Sequence, residues 1–70
     1  MLEERGISPD WVARAIAHPE WLADDPRGPP LRRAFRMVPE AEGRVLRVVF
    51  RHEDDLIIVV TAHFDRGARP

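Results

Sequence analysis

Seventy residues with no cysteine, a third of them charged and a formal net charge of -1, describe one small domain spanning 1–70 that has no disulfide framework and no thiolate metal site. No signal-peptide pattern is present, and the longest apolar run, Leu56 to Val60, is too short to cross a bilayer, so the expectation is a cytoplasmic protein with no membrane contact. Charge is unevenly spread. Residues 31–52 hold six arginines against two acids, whereas 1–30 hold three against six and 53–70 hold two against four, and all eleven basic residues are arginine.

In chain order, Met1 to Arg5 reads as the end of a helix stopped by Gly6. A second helix has fuller signals. Ser8 suits the N-cap, Pro9 the first position and Asp10 the positive end of the dipole, while Ile7 and Val12 have the spacing of a hydrophobic staple. This helix is predicted to reach about Ala17 and to present Val12, Ala15 and Ile16 on one side. His18 and Pro19 end it, with His18 read as a cation near the helix C-terminus. Glu20 to Asp24 reads as a short edge strand anchored by Trp21 and Leu22, and Asp25 to Pro30 as an exposed turn.

Leu31 to Val38 alternates as a strand. Placing Leu31, Phe35 and Met37 toward the helix leaves Arg32, Ala34, Arg36 and Val38 on the open face; the opposite parity would bury Arg32 and Arg36, at a cost of several kcal/mol if they are unpaired. The first parity is therefore expected, although it requires the link Pro39 to Gly43 to contribute an even number of loop residues.

Arg44 to Phe64 is the organising stretch, two β-rich runs joined by the acidic link Glu53 to Asp55. A three-residue turn in an antiparallel hairpin sets His52 opposite Leu56, Arg47 opposite Thr61 and Val45 opposite His63. The expected covered face is Leu46, Val48 and Phe50 with Leu56, Ile58, Val60, Ala62 and Phe64. The other mixes Val45, Val49, Ile57 and Val59 with Arg47, Arg51, Thr61 and His63. The tail from Asp65 is expected to fray. These elements predict an α+β fold with N-terminal helices packed on one face of a three- or four-stranded antiparallel sheet in sequential order.

Possible chemistry gathers on the open face. Metal-free RNA cleavage needs a base for the 2′-hydroxyl, an acid for the leaving oxygen and fixed positive charge around the phosphorus. His63 is the residue type suited to act as base or acid, Arg47 and Arg51 supply charge and Thr61 can orient a phosphate oxygen, so these four are the candidate catalytic residues. Arg32, Arg36, Arg47 and Arg51 are the candidate RNA-binding set. A solvated arginine face and a strand-end histidine are the plainer alternatives. His52 and His63 lie on opposite faces and no spacing resembles a metal motif, so neither metal nor cofactor is expected. Trp11 and Trp21 are read as packing residues.

The strings MLEERGISPDWVARAIAHPEW, LRRAFRMVPEAEGRVLRVVFR and IIVVTAHFDR resemble the small bacterial family called domain of unknown function 4258, itself distantly similar to RelE/ParE-type toxins. The resemblance implies N-terminal helices on one side of an antiparallel sheet whose open side meets RNA. It also implies that the family's longer helix before ERGIS, often carrying a histidine, is already in progress at Met1, so that any catalytic contribution from it is missing here. Two functions follow as expectations: a toxin-like, metal-independent ribonuclease or RNA-binding domain of a toxin-antitoxin type system, or a non-catalytic protein-interaction module of the same fold. Its partners would be RNA, an acidic antitoxin or a second copy of the chain.

Overall fold

Ser8 opens the first described helix, its hydroxyl accepting from the Asp10 amide at 3.1 Å. A computed structural model describes residues 6–69 of the chain. Helix α1, Pro9–Ala17, carries Pro9 in its first turn and is closed by His18, whose amide donates to the Arg14 carbonyl. The expected staple forms, with Ile7 and Val12 both buried and both in the main core. The helix expected over Met1 to Arg5 lies outside the described residues, so α1 is the one helix described on the sheet.

Four strands follow, β1 Trp21–Asp24, β2 Arg32–Val38, β3 Arg44–Glu53 and β4 Leu56–Phe64. They form one antiparallel sheet in the order β1-β2-β3-β4, as short connections favour. Helix α1 lies over β2 and β3. Val12 and Ala15 meet Val38, Leu46, Val48 and Ala62 there, with Trp11, Ile16, Val59 and Phe64 packed around them. Leu46, Val48 and Ala62 are fully enclosed, and burying a side chain of leucine or valine size contributes about 1.5 to 3 kcal/mol.

The facing of β2 is the reverse of the sequence expectation. Ala34 stands opposite Val48, Arg36 opposite Leu46 and Val38 opposite Arg44, which puts Ala34, Arg36 and Val38 on the helix side and Phe35 and Met37 on the other. The odd link survives as a 3-10 turn, Pro39–Ala41, followed by Glu42 and Gly43, both at positive φ. The penalty that argued against this parity is largely offset, although the Arg36 Nε is buried without an acceptor. Arg36 Nη1 donates to the His18 carbonyl at 2.7 Å, a cation at the C-terminal end of α1 where the dipole favours it. Arg32 sits at the margin, 3.4 Å from Asp24 and open to water. Phe35 is buried on the far side by stacking on Trp21, with ring centroids 4.8 Å apart and planes 8° from parallel.

The hairpin β3–β4 forms, with two corrections. Its turn is two residues, Asp54 and Asp55, because Glu53 pairs with Leu56; Asp54 takes φ 54°, a left-handed position aspartate tolerates. A β-bulge also interrupts β4, for Phe50 pairs with Val59 while Val49 pairs with Thr61, leaving Val60 as the extra residue. Val59 and Ile57 therefore join the helix side. Leu56, Ile58 and Val60 join the far side, contrary to expectation, whereas Ala62, Phe64, Thr61 and His63 face as expected. The tail is tied at its start, the Asp65 amide donating to the Val45 carbonyl at 2.8 Å.

Candidate functional site

Two rows of ladder partners and the bulge assemble the far side of the sheet. Trp21 stands opposite Phe35, Phe35 opposite Arg47 and Arg47 opposite His63, so one row crosses all four strands as aromatic, aromatic, arginine, histidine. The next row runs Ala23, Arg33, Val49, Thr61. At the bulge Val60 and Thr61 both come to this side opposite Val49, and both line an open pocket of about 560 Å³. Arg27, Arg33, Arg47 and His63 line it too, and Val49, only 1% exposed, forms its floor.

The segment expected to be an exposed turn builds one wall. Asp25 is the one buried charged residue among those described, and it accepts four hydrogen bonds. Arg27 gives its amide at 2.8 Å and its Nε at 2.9 Å to Oδ1 and Nη2 at 3.3 Å to Oδ2, while Arg33 Nε reaches Oδ2 at 3.1 Å. Burial alone would raise its pKa. The hydrogen bonds from the Arg27 side chain and amide outweigh that, with Arg33 adding to them, and hold the carboxyl well below the usual carboxylate range. The pocket's one lining carboxylate is thus ionised, hidden and fully engaged, and the surface offered to solvent is cationic.

Arg47 is held from two sides. Its Nη1 donates to Asp65 Oδ2 at 2.9 Å, and its Nη2 is bonded to His63 Nε2. A guanidinium only donates, so Nε2 is the acceptor and the imidazole proton is assigned to Nδ1. The Arg47 Nε is buried and meets no acceptor within the protein.

Of the candidate catalytic residues, the fold brings Arg47, Thr61 and His63 together around the pocket. Arg51 shares their face but lies toward the hairpin tip, paired with Glu53 at 2.8 Å, and does not line the pocket. Of the candidate RNA-binding arginines, Arg32 and Arg36 are on the helix side and do not form one surface with Arg47 and Arg51. Asp25, Arg27, Arg33 and Asp65 were not singled out from the sequence. The parity of β2 hid Arg33, and the turn reading hid Asp25 and Arg27. Trp11 packs near Phe64, with ring centroids 6.3 Å apart, as a packing residue should; Trp21 packs on the far side instead. His52 lies on the helix side against Phe50, on the face opposite His63. Among the described residues no three His, Asp or Glu side chains gather as a metal site requires, and no helix is long and apolar enough to cross a membrane.

The profile of the family described as Domain of unknown function (DUF4258) matches residues 1–64. The chain belongs to the DUF4258 family. No curated protein and no solved structure matches it. The DUF4258 match ends at Phe64 and so spans α1, all four strands and every residue lining the pocket, while Asp65, which holds Arg47, lies just beyond it.

Proposed function

We propose that this DUF4258 protein is an RNA-binding domain that receives a backbone phosphate in the pocket of Arg27, Arg33 and Arg47. The observation that carries the reading is the placement of three arginines around one pocket whose single lining carboxylate is buried beneath them. Planar guanidinium groups fixed in advance suit phosphate oxygens, because little side-chain freedom is lost on binding. RNA is favoured over an isolated phosphate by the row beside the pocket, since Trp21, stacked over the buried Phe35, presents an aromatic surface in line with Arg47 and single-stranded RNA is held by stacking as well as by charge.

Cleavage of the toxin type, as in RelE/ParE-like proteins, would rest on His63. In that reading a phosphate oxygen takes over the N–H that Arg47 now gives to His63, and the freed Nε2 accepts the 2′-hydroxyl proton. The 2′-oxygen then bonds to phosphorus as the bond to the 5′-oxygen breaks, and that oxygen is protonated by the imidazolium or by water. His63 is the one histidine lining the pocket, with no second acid or base free beside it, so binding is the better-supported half of the proposal. In a toxin-antitoxin setting an acidic antitoxin would compete for the same arginines.

The test is a titration of single-stranded RNA at several salt concentrations, with a cleavage assay free of divalent metal. Arg47→Ala and Arg33→Ala are each expected to weaken binding across sequences and to lower the salt slope by about one unit. His63→Ala is expected to retain most binding and to lose any cleavage. Absence of binding at low salt overturns the proposal, and binding without cleavage leaves an RNA-binding module that is not a nuclease.

A further inference from the structure

The most apolar run of the chain is not buried. Leu56 to Val60 lies in β4, an edge of the sheet, and none of its five residues is buried; Leu56 is 62% and Ile57 44% exposed. An edge strand offers a row of unpaired backbone N–H and C=O groups, and such edges are ordinarily protected by a charge, a proline or a bulge. Between Asp55 and His63 this strand has no charge and no proline, and its bulge at Val60 leaves Leu56 to Val59 in regular register.

We infer that β4 pairs antiparallel with β4 of a second copy of this chain, joining two sheets into one of eight strands. The charges at the ends of the strand select that occupant and that direction. Antiparallel pairing brings the acidic tip Glu53, Asp54 and Asp55 of each copy alongside the end of the other strand, where Arg66 is exposed and Asp65 is engaged by Arg47. Parallel pairing would set acidic tip against acidic tip. The centre, Leu56 to Ala62, carries no charge to repel its own copy. The two-fold axis of antiparallel strands runs perpendicular to the sheet, so both helices lie on one side and both arginine pockets on the other. The pairing stands on β4 alone and does not depend on the RNA reading.

Sedimentation equilibrium of the full chain at micromolar concentrations tests it. The expected result is a monomer–dimer equilibrium that weakens as salt rises, because the end charges are exposed. Ile57→Lys should raise the dimer dissociation constant by about tenfold or more with an unchanged far-UV circular dichroism spectrum. Leu22→Lys, at an equally exposed position on the opposite edge strand, should leave it unaltered. Hydrogen exchange on the unsubstituted chain gives an independent reading, in which β4 amides should gain protection as concentration rises. A strict monomer, open-ended assembly, a dimer indifferent to Ile57→Lys, or exchange in β4 independent of concentration each overturns the inference.

Discussion

Arg33 donates its Nε to Asp25 Oδ2 at 3.1 Å, and the carboxylate that receives it has no side-chain surface in contact with water. This pairing joins β2 to the segment after β1 and makes stability depend on the ionisation of Asp25. Its folded pKa is depressed, so its contribution is complete above the unfolded value of about 3.9 and is lost as pH falls below that. Thermal melts from neutral pH to below pH ~3 should show a steep loss of stability in the native chain. In Asp25→Asn the melting temperature should be lower at neutral pH and the acid-side loss shallower. Parallel acid profiles for the two proteins would contradict this account.

The bulge in β4 reverses an expectation about the core. Val59 packs with the helix-side cluster and Val60 lines the open pocket. Val59→Ala should therefore cost about 1 to 2 kcal/mol, and Val60→Ala less than about 1 kcal/mol. Urea denaturation of the two variants, compared at equal m-value, decides it.

Asp65 competes with any anion for Arg47, since it accepts the Nη1 hydrogen bond. Asp65→Asn keeps an acceptor and removes the charge. Under the RNA-binding proposal its affinity for single-stranded RNA should rise by roughly two- to fivefold at low salt, and the gain should shrink as salt screens the charge. Unchanged or weakened binding would place the phosphate away from Arg47.

Arg36 separates the two faces experimentally. Its link to the His18 carbonyl predicts that Arg36→Ala lowers stability by about 1 kcal/mol and leaves RNA affinity and its salt slope as they were. Denaturation and the same salt titration check both parts. A loss of RNA affinity equal to that of Arg47→Ala would bring the helix side into the binding surface.

Much of the fold was legible because its signals are local. Ser8, Pro9 and Asp10 mark the start of α1 by chemistry that operates within a turn, and the β-branched runs on either side of Asp54 and Asp55 mark the hairpin. What escaped was set by distant partners. The facing of β2 turned on whether Arg36 would be unpaired, and its acceptor is a helix-end carbonyl 18 residues earlier in the chain. The register of β4 turned on a bulge that no residue in Ile58 to Thr61 announces, since valine suits a regular strand as well as an irregular one. Within the site, Arg47, Thr61 and His63 were found because they share a face of one hairpin. Asp25 was missed because DPRG reads equally well as a solvated turn, and its burial follows from Arg33 arriving on a neighbouring strand.

The extra residue at position 60 also makes β4 unusually tolerant of a change in length. Losing one residue from a strand ordinarily inverts the facing of everything beyond it, but here Val59 already faces the helix and Thr61 already faces away. Excising Val60 would close the irregularity while Phe50 kept Val59, Val49 kept Thr61 and Arg47 kept His63 as partners. The two halves of the strand are in phase with each other only across a spare residue, so a gap or a filled position at this point in related chains is compatible with one and the same sheet.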